Sequence, residues 1–173
     1  LAQRSAGQSN RAEQTLLGWL KLHPEDIIVR HAVAEHYLAN RQWQRSIGYY
    51  RELLETRPDD ALLHNHMAYA LGKHKKMDLA LQHANEAIKL QPDNPAINDT
   101  LGWLLVQEGK FDQALRYLRE ALTRNANNAE IRYHLAAALK GLQRDDEART
   151  ELILALESDT PFEGRENAQL MLN

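Results

Sequence analysis

The sequence predicts an all-α fold, a solenoid of antiparallel helix pairs ending in a capping helix. Three observations carry this. The chain repeats at a step of 34 residues, so that Val33, Met67, Leu101 and Leu135 share one column and Ala34, Ala68, Gly102 and Ala136 the next. Inside each unit the apolar residues recur at three and four, the spacing of one helical face. Pro24, Pro58 and Pro92 punctuate the array at the same step, with Ala126 in the fourth place. A unit of this kind buries its apolar face by stacking on its neighbours.

The elements follow in order. Residues 1–26 read as the later part of a repeat, with a helix over residues 10–22 that carries Leu16, Leu17 and Leu20 on its apolar side and Asn10 with Glu13 as its capping pair. Its partner helix is mostly absent, and Leu1 follows no signal segment, so the amino end reads as processed or cut. Full repeats are expected at 27–60, 61–94, 95–128 and 129–162. The third is the clearest. Ile97, Leu101, Leu104 and Leu105 give a first helix; after Gly109 a second follows, with Asp112 expected as its cap and Ala114, Leu115, Leu118, Ala121 and Leu122 as its stripe. Residues 163–173 close the array with Ala168, Met171 and Leu172 at helical spacing.

Further columns explain how each pair closes. Tyr37, Leu71, Leu105 and Leu139 are bulky, whereas Ser46, Ala80, Ala114 and Ala148 are small. Leu53, Ala87, Ala121 and Ala155 form another mostly small column. Small residues let helix axes approach, so Ala114→Leu is expected to overpack the pair and cost ~1 to 3 kcal/mol.

Composition narrows the function classes. The 173 residues are 43% hydrophobic, with 21 basic and 24 acidic side chains and a formal charge of −3, which does not favour nucleic acid as a partner. No cysteine is present, so disulfides, thiolate chemistry and cysteine zinc sites are excluded. No apolar run approaches the ~20 residues that span a bilayer, so no membrane insertion by this segment is expected.

These columns resemble the tetratricopeptide repeat, whose first helix carries a large residue, Leu-Gly and a large residue, and whose second helix carries Ala, a large residue and Ala before a closing proline. The resemblance covers nearly the whole chain and implies a right-handed superhelix whose first helices line a concave groove. Ser46 and Leu53 depart from the pattern in the first full unit. On that projection the groove carries Asn65, His66, Tyr69, Asp99, Trp103 and Tyr133, bordered by His31, Glu35, Thr100, His134 and Ala137. Tyr69 and Trp103 are read as apolar anchors, because rigid aromatics bury area at little entropic cost, and Asn65 and Asp99 as fixing the register of a bound backbone. Trp19 and Trp43 are assigned to structure.

Within the same family some members hold a terminal carboxylate with a clamp of lysines, asparagines and an arginine. Glu35, His31 and Asp99 oppose that use here. No two histidines stand three or four apart, so no metal site and no cofactor are expected. No phosphate loop, nucleophile elbow or paired-carboxylate motif appears, and an enzyme is not expected. Lys73-His74-Lys75-Lys76 is read as a solvated turn, and Asn98-Asp99-Thr100 as a chance match to a glycosylation acceptor.

Asn94-Pro95 to Trp103, Ala129 to Ala136 and Pro161 to Ala168 also resemble the carboxy-terminal repeats of bacterial envelope lipoproteins that accompany exosortase sorting and exopolysaccharide export. That likeness implies a periplasmic or envelope location, the cytoplasm being the alternative. The expected function is a non-catalytic scaffold that binds a protein or peptide segment in its groove. The alternative is a structural spacer or self-assembling module, associating through Leu16, Trp19 and Leu20 at the amino end.

Overall fold

The computed structural model describes residues 2–172, with side chains from Ser9 onward. Among them the chain forms α1 (Ala2–Leu22), α2 (Ile27–Ala39), α3 (Trp43–Thr56), α4 (Ala61–Lys73), α5 (Met77–Leu90), α6 (Pro95–Gln107), α7 (Phe111–Arg124), α8 (Ala129–Gly141), α9 (Asp145–Leu156) and α10 (Arg165–Leu172), with no strand. It divides into two compact units, one reaching to Ala80 and one beginning at Leu81. In the first, α2 packs on α3, α3 on α4 and α1 on α2; in the second, α6 packs on α7, α7 on α8, α8 on α9 and α9 on α10. Each unit is thus a run of consecutive antiparallel pairs. No described helix is long and apolar enough to cross a membrane.

The small columns lie in the interior. Ala34, Ala68 and Ala136 are fully or almost fully buried, as are Ala80, Ala114 and Ala148. A Cβ built on Gly102 would stand 2.6 Å from Leu118 Cγ, so this pair closes only because position 102 has no side chain. The departure at Ser46 is absorbed chemically: its buried hydroxyl donates to the Ala34 carbonyl at 3.0 Å.

Helix starts follow the 34-residue step too. Asp26, Asp60, Asn94 and Asn128 cap α2, α4, α6 and α8, each accepting from an amide of the first turn. From the fourth position of the same helices, Arg30, His64, Asn98 and Arg132 reach back to the carbonyls of Pro24, Pro58, Pro92 and Ala126. The carbonyl rather than the proline ring makes this contact, which accounts for Ala126. Asn98 is buried and its amide donates to Pro92 and Asn94, so it is closed to a glycan.

The turn inside each pair is equally regular. Arg41, Lys75, Gly109 and Gln143 all adopt φ between 57° and 71°. The next amide donates back to the bulky column, Gln42 to Tyr37, Lys76 to Leu71, Lys110 to Leu105 and Arg144 to Leu139, at 2.8–2.9 Å. This is the six-to-one bond of a Schellman ending.

Two sequence expectations are corrected. Helix α1 runs from Ala2 to Leu22, so Asn10 lies inside it and does not cap; Glu13 instead accepts from the Tyr37 hydroxyl at 3.0 Å and pairs with Arg45 at 3.1 Å. Asp112 is no N-cap either: the tight turn at Gly109 starts α7 at Phe111, the cap residue is Lys110, and Asp112 falls in the first turn, where its charge suits the helix dipole.

Candidate functional site

The candidate residues belong to the first helix of each pair, because that face is left by the small and bulky columns packed against the second helix. They separate into two groups, one in each unit.

In the first unit, α2 and α4 line an open pocket of about 400 Å³ with Ile27, Ile28, His31, Glu35, Arg57, Asp60, Leu62, Leu63 and His66. Ile28 is 83% exposed and Leu62 45%, an apolar rim on a helical protein whose other large apolar side chains are mostly covered. Asp60 is occupied by the α4 amides and by Arg57 at 3.4 Å. His31, Glu35 and His66 are less committed. His31 Nδ1 lies 3.9 Å from Glu35 Oε1, and the His31 and His66 rings are 6.0 Å apart. His66 Nδ1 is buried without a hydrogen-bond partner, as is the hydroxyl of Tyr50, whose ring lies 5.5 Å from that of His66. Burial, reinforced by His31, holds the His66 imidazole below the ordinary histidine range. Burial and the charge of Glu35 push the Tyr50 phenol upward.

Asn65 is buried on the same helix with its Oδ1 unpartnered. Tyr69 is half-buried, edge-on to Trp43 at 6.2 Å and beneath the Lys73 ammonium at 5.2 Å.

The second unit brings Asp99, Trp103, Tyr133 and His134 together. His134 Nδ1–H donates to Asp99 Oδ1 at 2.7 Å, and the indole of Trp103 stacks on the imidazole with centroids 4.2 Å apart and planes 17° from parallel. Tyr133 is buried. Its ring sits 5.6 Å from Trp103 and 6.0 Å from Phe162, and a Cβ on Gly164 would come within 2.4 Å of it. Tyr133 therefore supports Trp103 from inside, and Asp99 Oδ1 is engaged by His134.

The sequence reading missed the grouping of His31, Glu35 and His66. It compared histidines only with histidines, whereas His31 and Glu35 stand four apart on one face, the available signal.

Family models match in three places: a tetratricopeptide repeat model over residues 105–163, another over 32–95, and a model described as YpiA-like, tetratricopeptide repeats over 6–57. No curated protein sequence matches. Among solved structures, the thermophilic repeat protein TTC0263 of Thermus thermophilus superposes with a TM-score of 0.78 at 20% identity, over 99% of this chain and 94% of that one. MamA from Desulfovibrio magneticus RS-1 gives 0.70 at 16% identity, over 85% and 84%. YrrB, described as a repeat protein with an unusual peptide-binding site, gives 0.69 at 21% identity, over 92% and 81%.

Proposed function

Because the chain belongs to the tetratricopeptide repeat proteins, a fold that generally serves as a protein-interaction scaffold, we propose that it binds a protein or peptide segment along the first helices of its pairs, without catalysis. The observation that carries this reading is the open pocket of α2 and α4, with exposed Ile28 and Leu62 at its rim and polar His31, Glu35 and His66 within. An apolar side chain of a partner would sit between Ile28 and Leu62, while its backbone meets the polar groups. Each within its own unit, Tyr69 and Trp103 would supply further apolar area, and Asn65 and Asp99 would fix the register of a bound backbone. A peptide-binding relative of the same fold, YrrB, supports the class of ligand. The likeness to envelope repeat lipoproteins extends the proposal to a bacterial export or sorting system.

The test is capture from envelope and cytosol fractions by the parent chain, an Ile28→Asp, Leu62→Asp variant and a Tyr69→Ala, Trp103→Ala variant, all checked for equal melting temperature. Partner retention should fall at least roughly tenfold in the first variant and less in the second, as expected when a few anchors dominate. Equal retention by all three chains would overturn the reading.

A second reading has its own observation. Trp19 and Leu22 on α1 join Ile28 as exposed apolar residues near the start of the chain, a surface that a second copy could cover. Sedimentation across a concentration series separates the two: a monomer throughout rejects self-assembly.

A further inference from the structure

We propose that His31, Glu35 and His66 form a binding site for a single transition-metal dication of the zinc class. This goes beyond peptide binding and does not depend on it.

The geometry comes first. One ligand atom from each of the three side chains lies within 4.8 Å of both others. A tetrahedral zinc with bonds of ~2.0–2.1 Å sets its ligands roughly 3.3 Å apart, so the three must draw together by about 1.5 Å at most. Glu35 has the freedom to do this, since its side chain is half exposed and bonded to nothing shorter than 3.9 Å. His31 and Glu35 are one turn apart on α2 and come forward together. His66 approaches from α4.

The donor set then selects the ion. Two imidazoles and one carboxylate suit zinc, nickel or copper; calcium and magnesium require oxygen ligands in larger number. Three protein ligands leave one tetrahedral position to water.

A third observation concerns what the three groups are doing otherwise. The buried Nδ1 of His66 has no hydrogen-bond partner, an arrangement that costs stability unless something fills it. The neighbouring carboxylate, Asp60, cannot serve, being held by Arg57 and the α4 amides. At the corresponding positions 68 residues on, Asp99, Trp103 and His134 are fully engaged with one another, and that cluster holds no open donor set.

The test is titration of the chelator-treated chain with Zn²⁺ by calorimetry and with Co²⁺ by visible absorption. One equivalent should bind, and Co²⁺ should develop the intense bands of a tetrahedral site. Glu35→Gln should weaken the affinity by about tenfold or more, by analogy with the loss caused by removing groups that support a metal site. His31→Ala should abolish the saturable step, and His74→Ala, at the end of α4, should leave it unchanged. Ca²⁺ should produce no signal. Glu35→Gln and His31→Ala decide the matter, because both positions are partly exposed. Absence of one-equivalent binding by the parent, or binding that survives both Glu35→Gln and His31→Ala, overturns the proposal.

Discussion

His66 and His134 occupy the same column two repeats apart, and the two units treat them in opposite ways. In the second unit His134 is clasped by Asp99 at 2.7 Å and covered by Trp103. In the first unit the positions equivalent to Asp99 and Trp103 are His31 and Glu35, so His66 gains neither an anionic acceptor for its Nδ1 nor a ring to stack on. A pocket opens where the second unit has a closed cluster. Two differences from the second unit thus accompany a histidine whose buried ring nitrogen is unused.

The largest effect that would sharpen this contrast is on stability. His134→Ala strands the Asp99 carboxylate and removes the stack, and should cost about 1.5 to 3 kcal/mol, the range for a hydrogen bond to a charged group. His66→Ala removes no such bond and should cost clearly less. Equal losses in chemical denaturation of the two variants would erase the distinction between the units.

How far the sequence foretold this depends on the kind of signal. The pairs and the carboxy-terminal helix were legible because steric columns such as Ala114 and Gly102 depend on position alone, and the 34-residue step exposes them. The helix starts were misread at Asn10 and Asp112, although the true caps Asp26, Asp60, Asn94 and Asn128 form a column as regular as any other. A capping residue is only meaningful once the neighbouring turn is known, and the residue at positive φ supplies that turn. At the candidate site, projection onto the first helices selected the face from which the candidate residues are drawn. It could not foresee that Tyr133 would be sealed beneath Phe162 and Gly164, because Phe162 takes the place that the earlier repeats give to a capping Asp or Asn and Gly164 lies beyond the last repeat. Nor could it pair Asp99 with His134, whose meeting needs one helix to lie against the next.

The turns offer a middle-sized test within the shared architecture. At Gly109 the positive φ is free of steric cost, whereas Arg41, Lys75 and Gln143 adopt it with a Cβ present. Gly109→Ala should lower stability by about 1 kcal/mol, while Lys75→Gly should be neutral or slightly stabilising, the relief of strain offsetting the added freedom of the unfolded chain. Thermal melts of both variants check this. Loss in both would mean that Lys75 is held there by contacts that outweigh its backbone strain.

The smallest effect is also the most direct on the contrast between units. His31→Asp places a carboxylate where Asp99 stands in the second unit, within reach of His66. The imidazolium then gains an anionic neighbour in place of a basic one, while burial, Glu35 and Asp60 remain as they were. An opposite charge favours the protonated ring, so the titration midpoint of His66, followed by NMR of its ring protons, should rise from its depressed position. The new aspartate sits one turn from Glu35, and their repulsion should keep the gain in folding stability to a few tenths of a kcal/mol. If the midpoint does not move, position 31 does not govern His66. The difference between the two units would then have to arise from Trp103, whose stacking on His134 has no counterpart at Glu35.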